Sequence, residues 1–169
     1  MSIFRRTSLP DDVAGALPAG ERVLAFAAYD AGHLVATMTG LWECPREVAA
    51  VLWHWDEIDR AEWAEGHLAM QVTPDGSDPR PVSFTTTAPG KLPEVIRDRV
   101  NASIVINDWH RLASGGGVRV LARRRPGEER LRWLLAFDRE SDAADASSRA
   151  EAAARLRLAR ESVGESPAE

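Results

Sequence analysis

The chain has 169 residues, 44% of them apolar, and carries a formal net charge of −5 from 21 basic and 26 acidic side chains. That length fits one domain, or one with an appended element, and is enough to bury a real core; the acid excess argues against a broadly basic nucleic-acid binder. A single cysteine, Cys44, leaves no intrachain disulfide and no cysteine-built zinc cage, and no apolar run approaches the roughly 20 residues of a membrane helix. The start, Met1 to Arg6, has no apolar segment behind it and reads as no signal peptide. The expectation is a soluble, cytoplasmic protein. Twenty of the basic residues are arginine and only Lys91 is lysine. With abundant alanine, that skew reflects codon usage more than phosphate recognition.

Residues 1–20 hold Pro10, Gly15, Pro18 and Gly20 and read as a lead-in segment that packs loosely. Arg22 to Tyr29 and His33 to Trp42 are apolar, β-rich runs on either side of Asp30-Ala31-Gly32, the pattern of an antiparallel hairpin. Residues 45–65 fit two readings. Pro45, Val48, Val51, Leu52, Trp55, Ile58 and a later Gly66 fit an amphipathic helix. They also fit two strands, Val48 to Trp55 and Ile58 to Trp63, bent at Asp56-Glu57. Helix propensity favours the former.

Leu68 to Val72 and Pro81 to Thr87 read as strands around a Pro/Gly/Asp loop. Leu92, Val95, Ile96 and Val100 form the apolar stripe of a helix ending near Ala102. The β-branched run Ile104-Val105-Ile106 begins a strand. Ser114 to Gly117 is a flexible turn. Val118 to Arg123 and Leu131 to Phe137 form a hairpin around Pro126-Gly127. A C-terminal helix is expected from about residue 143 to 163, with a frayed end over 165–169.

The order Glu21-Arg22-Val23-Leu24, Leu34 to Thr37, Gly40-Leu41-Trp42, Trp53-His54-Trp55-Asp56-Glu57-Ile58, Ala61-Glu62-Trp63, Leu68 to Val72, Phe84 and a helix near Leu92 resembles the bacterial pleckstrin-homology-like (PH-like) domains. The resemblance covers about residues 20–102 and rests on strand-and-turn punctuation. It implies two strands over 45–65, against local propensity. The fold expected is α+β: a strongly bent antiparallel sheet or partial barrel, a helix after the first set of strands, a further β-hairpin and a C-terminal helix. The expected division is a lead-in over 1–20, a PH-like β-rich domain over 21–138, and a C-terminal helix and tail over 139–169. The better-known relatives bind inositol phosphates through basic residues in the first hairpin loop. Here that loop is Asp30-Ala31-Gly32-His33, without Arg or Lys, so headgroup binding is not carried over.

No catalytic constellation stands out. Cys44 has no local base to make it a thiolate, there is no Gly-x-Ser-x-Gly elbow, and Gly115-Gly116-Gly117 lacks the Lys-Ser/Thr of a phosphate loop. His54, Asp56, Asp59, Glu62 and His67 fall within 14 residues. A solvated acidic bend is the ordinary reading of such a run, and a metal site the sharper one. Neither metal nor other cofactor is expected. Trp42, Trp53, Trp55 and Trp63 are read chiefly as core.

The least ordinary feature is basic: Arg119, Arg123, Arg124, Arg125, Arg130 and Arg132, against only Glu128 and Glu129. A hairpin so charged is a candidate binding surface for an acidic partner. The plainer alternative pairs its arginines with the acidic segment 138–169. The reading is a non-catalytic cytoplasmic binding or scaffold module with an unknown protein partner, in contact through 119–132. Nucleic acid is not expected as its partner. Two alternatives stand beside it: peripheral attachment to anionic membrane through the same hairpin, and a small enzyme or metal site around His54, Asp56 and His67.

Overall fold

Alternating apolar residues from Val23 onward build strands that need two covered faces. The computed structural model describes residues 8–75 and 77–165 and divides the chain into two units, Met1–Ala102 and Ser103–Glu169. The start through Thr7 and the expected frayed end beyond Glu165 lie outside the described residues.

The first unit begins with a short helix α1 (Asp11–Ala16) and continues with β1 (Val23–Tyr29), β2 (Gly32–Thr37), β3 (Gly40–Pro45) and β4 (Val51–His54). These four pair in order as an antiparallel sheet. Within the described part of the lead-in, α1 is held to the sheet by one buried residue. Val13 of α1 is buried against Val35 and Cys44 on one face of the sheet, while Leu34 and Ala36 enter the main core on the other. Strand β2 is therefore apolar on both sides.

The expected second strand, His33 to Trp42, is in fact broken into β2 and β3 at Met38-Thr39. No glycine, proline or asparagine marks those two positions. The turn is closed by a side chain instead: the Thr37 hydroxyl donates to the Gly40 carbonyl at 3.1 Å and accepts from the Thr39 and Gly40 amides.

Residues 45–65 form strand, bend and strand: β4, a 3-10 turn over Trp55–Glu57, and β5 (Ile58–Ala64). Local propensity loses here to burial. Trp55 is 1% exposed and Ile58 fully covered, and the Trp55 indole N–H donates to the Thr37 carbonyl at 3.1 Å. The turn is tied by the Glu57 carboxylate, which accepts the His54 amide at 3.0 Å. Strands β5, β6 (His67–Val72) and β7 (Arg80–Thr85) make a separate antiparallel sheet. Glu65 and Gly66 both have positive φ, 50° and 80°, the requirement of a tight two-residue hairpin turn. Leu68, Met70 and Val72 alternate into the core.

Helix α2 (Leu92–Ala102) presents Leu92, Ile96 and Val100 to the same core and packs on β5, β1 and β2. The strands of this unit thus lie in two sheets, and no barrel closes among the described residues.

The second unit is a three-stranded antiparallel sheet in the order β10-β9-β8, with β8 (Ile104–Arg111), β9 (Gly117–Arg124) and β10 (Leu131–Phe137), followed by helix α3 (Ala146–Ser162). The expected hairpin has a third strand, β8, paired to β9 beyond a bulge at Ile104/Ile106. Helix α3 lays Ala152 on Leu112, Val118, Leu135 and Phe137. Asp145 caps it, accepting the Ser148 amide at 2.7 Å; hydrogen bonding to Ser148 holds that carboxyl below its ordinary range. The Ser141 hydroxyl clamps Gly117, bonding its amide and its carbonyl at 2.8 Å each. No described helix is long and apolar enough to cross a membrane.

Candidate functional site

Strand alternation distributes the arginines of 119–132 rather than gathering them. In the β10–β9–β8 register, Arg132 pairs with Arg123, Ala136 with Arg119, and Arg119 with Trp109. Val118 packs under α3 with Ala152. Arg119, Arg123 and Arg132 therefore share the sheet face turned away from α3, with Asn107, Trp109 and Arg111 beside them. Arg124 has the opposite parity.

Their environments differ as much as their directions. The Arg119 guanidinium donates to Asn107 Oδ1 at 2.8 Å. Arg123 is only 3% exposed, and its Nη1 donates to Ser103 Oγ at 3.0 Å. Arg132, half-buried opposite it, is likewise engaged by other groups; two guanidinium groups facing each other need such partners to offset their repulsion. Arg125 lies 4.0 Å from Glu128. Arg124 and Arg130 are exposed, and among the described residues their side chains have no ion pair or hydrogen bond.

Facing the same strands, Arg160 of α3 stacks 5.9 Å from the Trp133 ring, and the Trp133 indole donates to Glu165 at 2.7 Å. Arg124 and Arg130 are thus the open cations of the hairpin end; Arg119 and Arg123 serve the sheet.

The acidic bend is built differently. Asp56 and Glu57 are buried in the 3-10 turn. The Thr73 hydroxyl donates to Asp59, and Glu62 pairs with Arg60 at the surface. Because Ile58 pairs with Val72 and Ala64 with His67, His67 stands at the far end of the β5–β6 hairpin, about 20 Å along the strands from the turn. The structure does not bring His54, Asp56 and His67 together, and no group of three metal-binding side chains gathers among the described residues.

Cys44 is buried, and burial, with the neighbouring Glu43 charge, pushes its thiol up. That is the reverse of what an activated nucleophile needs. Trp53 and Trp55 are core, and Arg80 stacks 4.9 Å from the Trp53 ring.

Two features have no counterpart in the sequence reading. One is a groove of about 420 Å³ between the β5–β6 hairpin and α2, lined by Trp63, Leu68, Pro93, Ile96 and Arg97. The other is Trp109, 48% exposed on β8, its indole donating to Asp138 at 2.9 Å. A partner strand, not composition, decides which tryptophan stays outside, so only pairing reveals it. No protein-family model, curated protein or solved structure matches the chain significantly.

Proposed function

We propose that the chain is a non-catalytic, cytoplasmic binding module of PH-like build, which meets a protein partner through the Arg-rich end of the β9–β10 hairpin. The PH-like part of the reading draws support from the element order of residues 23–102: four antiparallel strands, three more, then a helix against the core. The observation that carries the binding surface is the exposure of Arg124 and Arg130 at one hairpin end, with Glu128 and Glu129 as the acids between them. Free guanidinium groups on a short connection suit carboxylates on an acidic protein surface. Arg125 and Arg132 flank that end; Arg119 and Arg123 hold the strands that present it.

Affinity capture from cell extract with the full chain and with the double variant Arg124→Glu/Arg130→Glu tests this reading. A specific protein retained by the parent and lost by the variant is expected. Recovery that ignores the charge reversal overturns it. The same exposed arginines support a second reading, attachment to anionic membrane. It requires sedimentation with phosphatidylglycerol vesicles that falls steeply with salt.

A further inference from the structure

A sheet edge displays unpaired backbone N–H and C=O groups, and proteins blunt such edges by bulges, proline, shortness or covering helices. Six strands of this chain lie at a sheet edge: β1, β4, β5, β7, β8 and β10. Strand β4 has four residues. Strand β7 contains Pro81. Strands β1 and β5 carry bulges and lie under α2. Strand β10 lies under α3. Strand β8 is the least protected: among the described residues no helix covers it as α2 covers β1 and β5, and its guards are a bulge at its start and the charges of Asp108 and Arg111. It has eight residues and neither proline nor lysine, its one bulge sits at its start, and Val105, Asn107, Asp108, Trp109 and Arg111 are exposed along it.

The order of side chains on that edge is self-complementary. From Asn107 to Arg111 the register with β9 is regular. Asp108 and His110 pair with Val120 and Val118 and so take the α3 side, whereas Asn107, Trp109 and Arg111 take the other. An antiparallel second β8, related by a twofold axis through Trp109, would keep every residue on its own face. Asp108 then lies opposite the second copy's His110, whose imidazole N–H can donate to the carboxylate. Asn107 lies opposite the second copy's Arg111, and the two Trp109 backbones meet at the axis, each indole staying over its own Gly117 and on its own Asp138. Each polar contact occurs twice, as a twofold interface demands.

From this we infer that β8 is a self-association edge: two copies of the chain pair through residues 107–111 to join their three-stranded sheets into one of six strands. The inference is independent of the hairpin reading above, because β8 is a sheet edge whereas the β9–β10 connection lies at one end of the other two strands. Five residues per copy is a small interface, so the dimer is weak and reversible.

Sedimentation equilibrium of the full chain, from low to high micromolar concentration, tests it. Expected is a monomer–dimer equilibrium that Asp108→Arg weakens about tenfold, by setting Arg against His110 twice, and that the swap Asp108→Arg/His110→Asp restores. Amide protection at residues 107–111 of the parent chain should rise with protein concentration, a readout independent of how the variants fold. A chain monomeric throughout the high micromolar range, a dimer indifferent to Asp108→Arg, or a monomer whose β8 amides are instead protected by an acidic peptide or by oligothymidylate overturns it.

Discussion

The two units solve the same problem, a sheet needing cover, with different materials. Residues 1–102 bury fourteen side chains in one cluster, among them Trp53, Trp55, Leu34 and Ile58. Residues 103–165 bury five apolar side chains, Leu112, Val118, Val120, Ala122 and Ala152, of which three form one cluster, and add polar ties: Ser141 on Gly117, Ser114 to Ser148 at 2.7 Å, Trp109 to Asp138, and the Ala113 amide to Glu151 at 3.0 Å. Charge divides the same way. Residues 1–102 hold nine basic and fifteen acidic side chains, residues 103–169 twelve and eleven. The net charge of −5 thus belongs to the first unit and masks a second unit that is nearly balanced overall and locally basic on one sheet face. Apolar area is non-directional and tolerant of small shifts, whereas hydrogen-bonded ties are specific and cheap to break. The first unit should therefore be the more stable and the second the more readily opened.

The sharpest way to break that comparison is Trp55→Ala. Removing a wholly buried indole should destabilise the first unit by about 3–5 kcal/mol, read by denaturant unfolding, with amide protection lost from β1–β7 before β8–β10. A smaller effect is expected from Gly117→Ala. A Cβ there would strike the Trp109 indole. The ring must swing outward and release Asp138, for about 1–2 kcal/mol, seen as a lower Tm and red-shifted tryptophan emission. Ser148→Ala should cost the second unit about 1 kcal/mol, through loss of the bond to Ser114; an unchanged Tm would mean that the polar ties are incidental.

The mildest prediction is spectroscopic. Tyr29, the sole tyrosine, donates to Glu43 at 3.2 Å. Burial first, then the Glu43 charge, pushes its phenol up to about 12. The neutral phenol is favoured in the folded state, so its contribution to stability is full below pH about 10 and is lost as pH rises from there to about 12. Phenolate absorbance should titrate near 12 in the folded chain, and Glu43→Gln should bring the midpoint part of the way down.

Much of the fold was legible where pattern and punctuation agreed. The stripe Leu92, Ile96, Val100 marked α2, and Pro126-Gly127 marked the β9–β10 connection. It was illegible where one side chain closes a turn: Thr37 ends β2 with no glycine, proline or asparagine at the two central positions. Over 45–65 local propensity pointed to helix, and tertiary burial of Trp55 and Ile58 set strands instead. Composition could show the arginine run but not its division. A strand turns each successive residue the other way, so Arg123 and Arg124 could not share a surface. The openness of β8 was hidden for a related reason, since an edge is defined by the neighbour it lacks.

Gly32 and Gly40 carry a consequence for how this chain can vary. A methyl group on Gly32 would run into the Cys44 carbonyl of the adjoining strand, and one on Gly40 into the Trp53 carbonyl. Both obstacles are backbone and cannot swing aside. Every nucleotide change that replaces either glycine adds at least that methyl group, so drift at these two positions should be closed whatever the chain binds. When related sequences are aligned, invariance at Gly32 and Gly40 will record crowding between strands, and a search for the working surface should begin at positions where a change was sterically permitted and still did not occur.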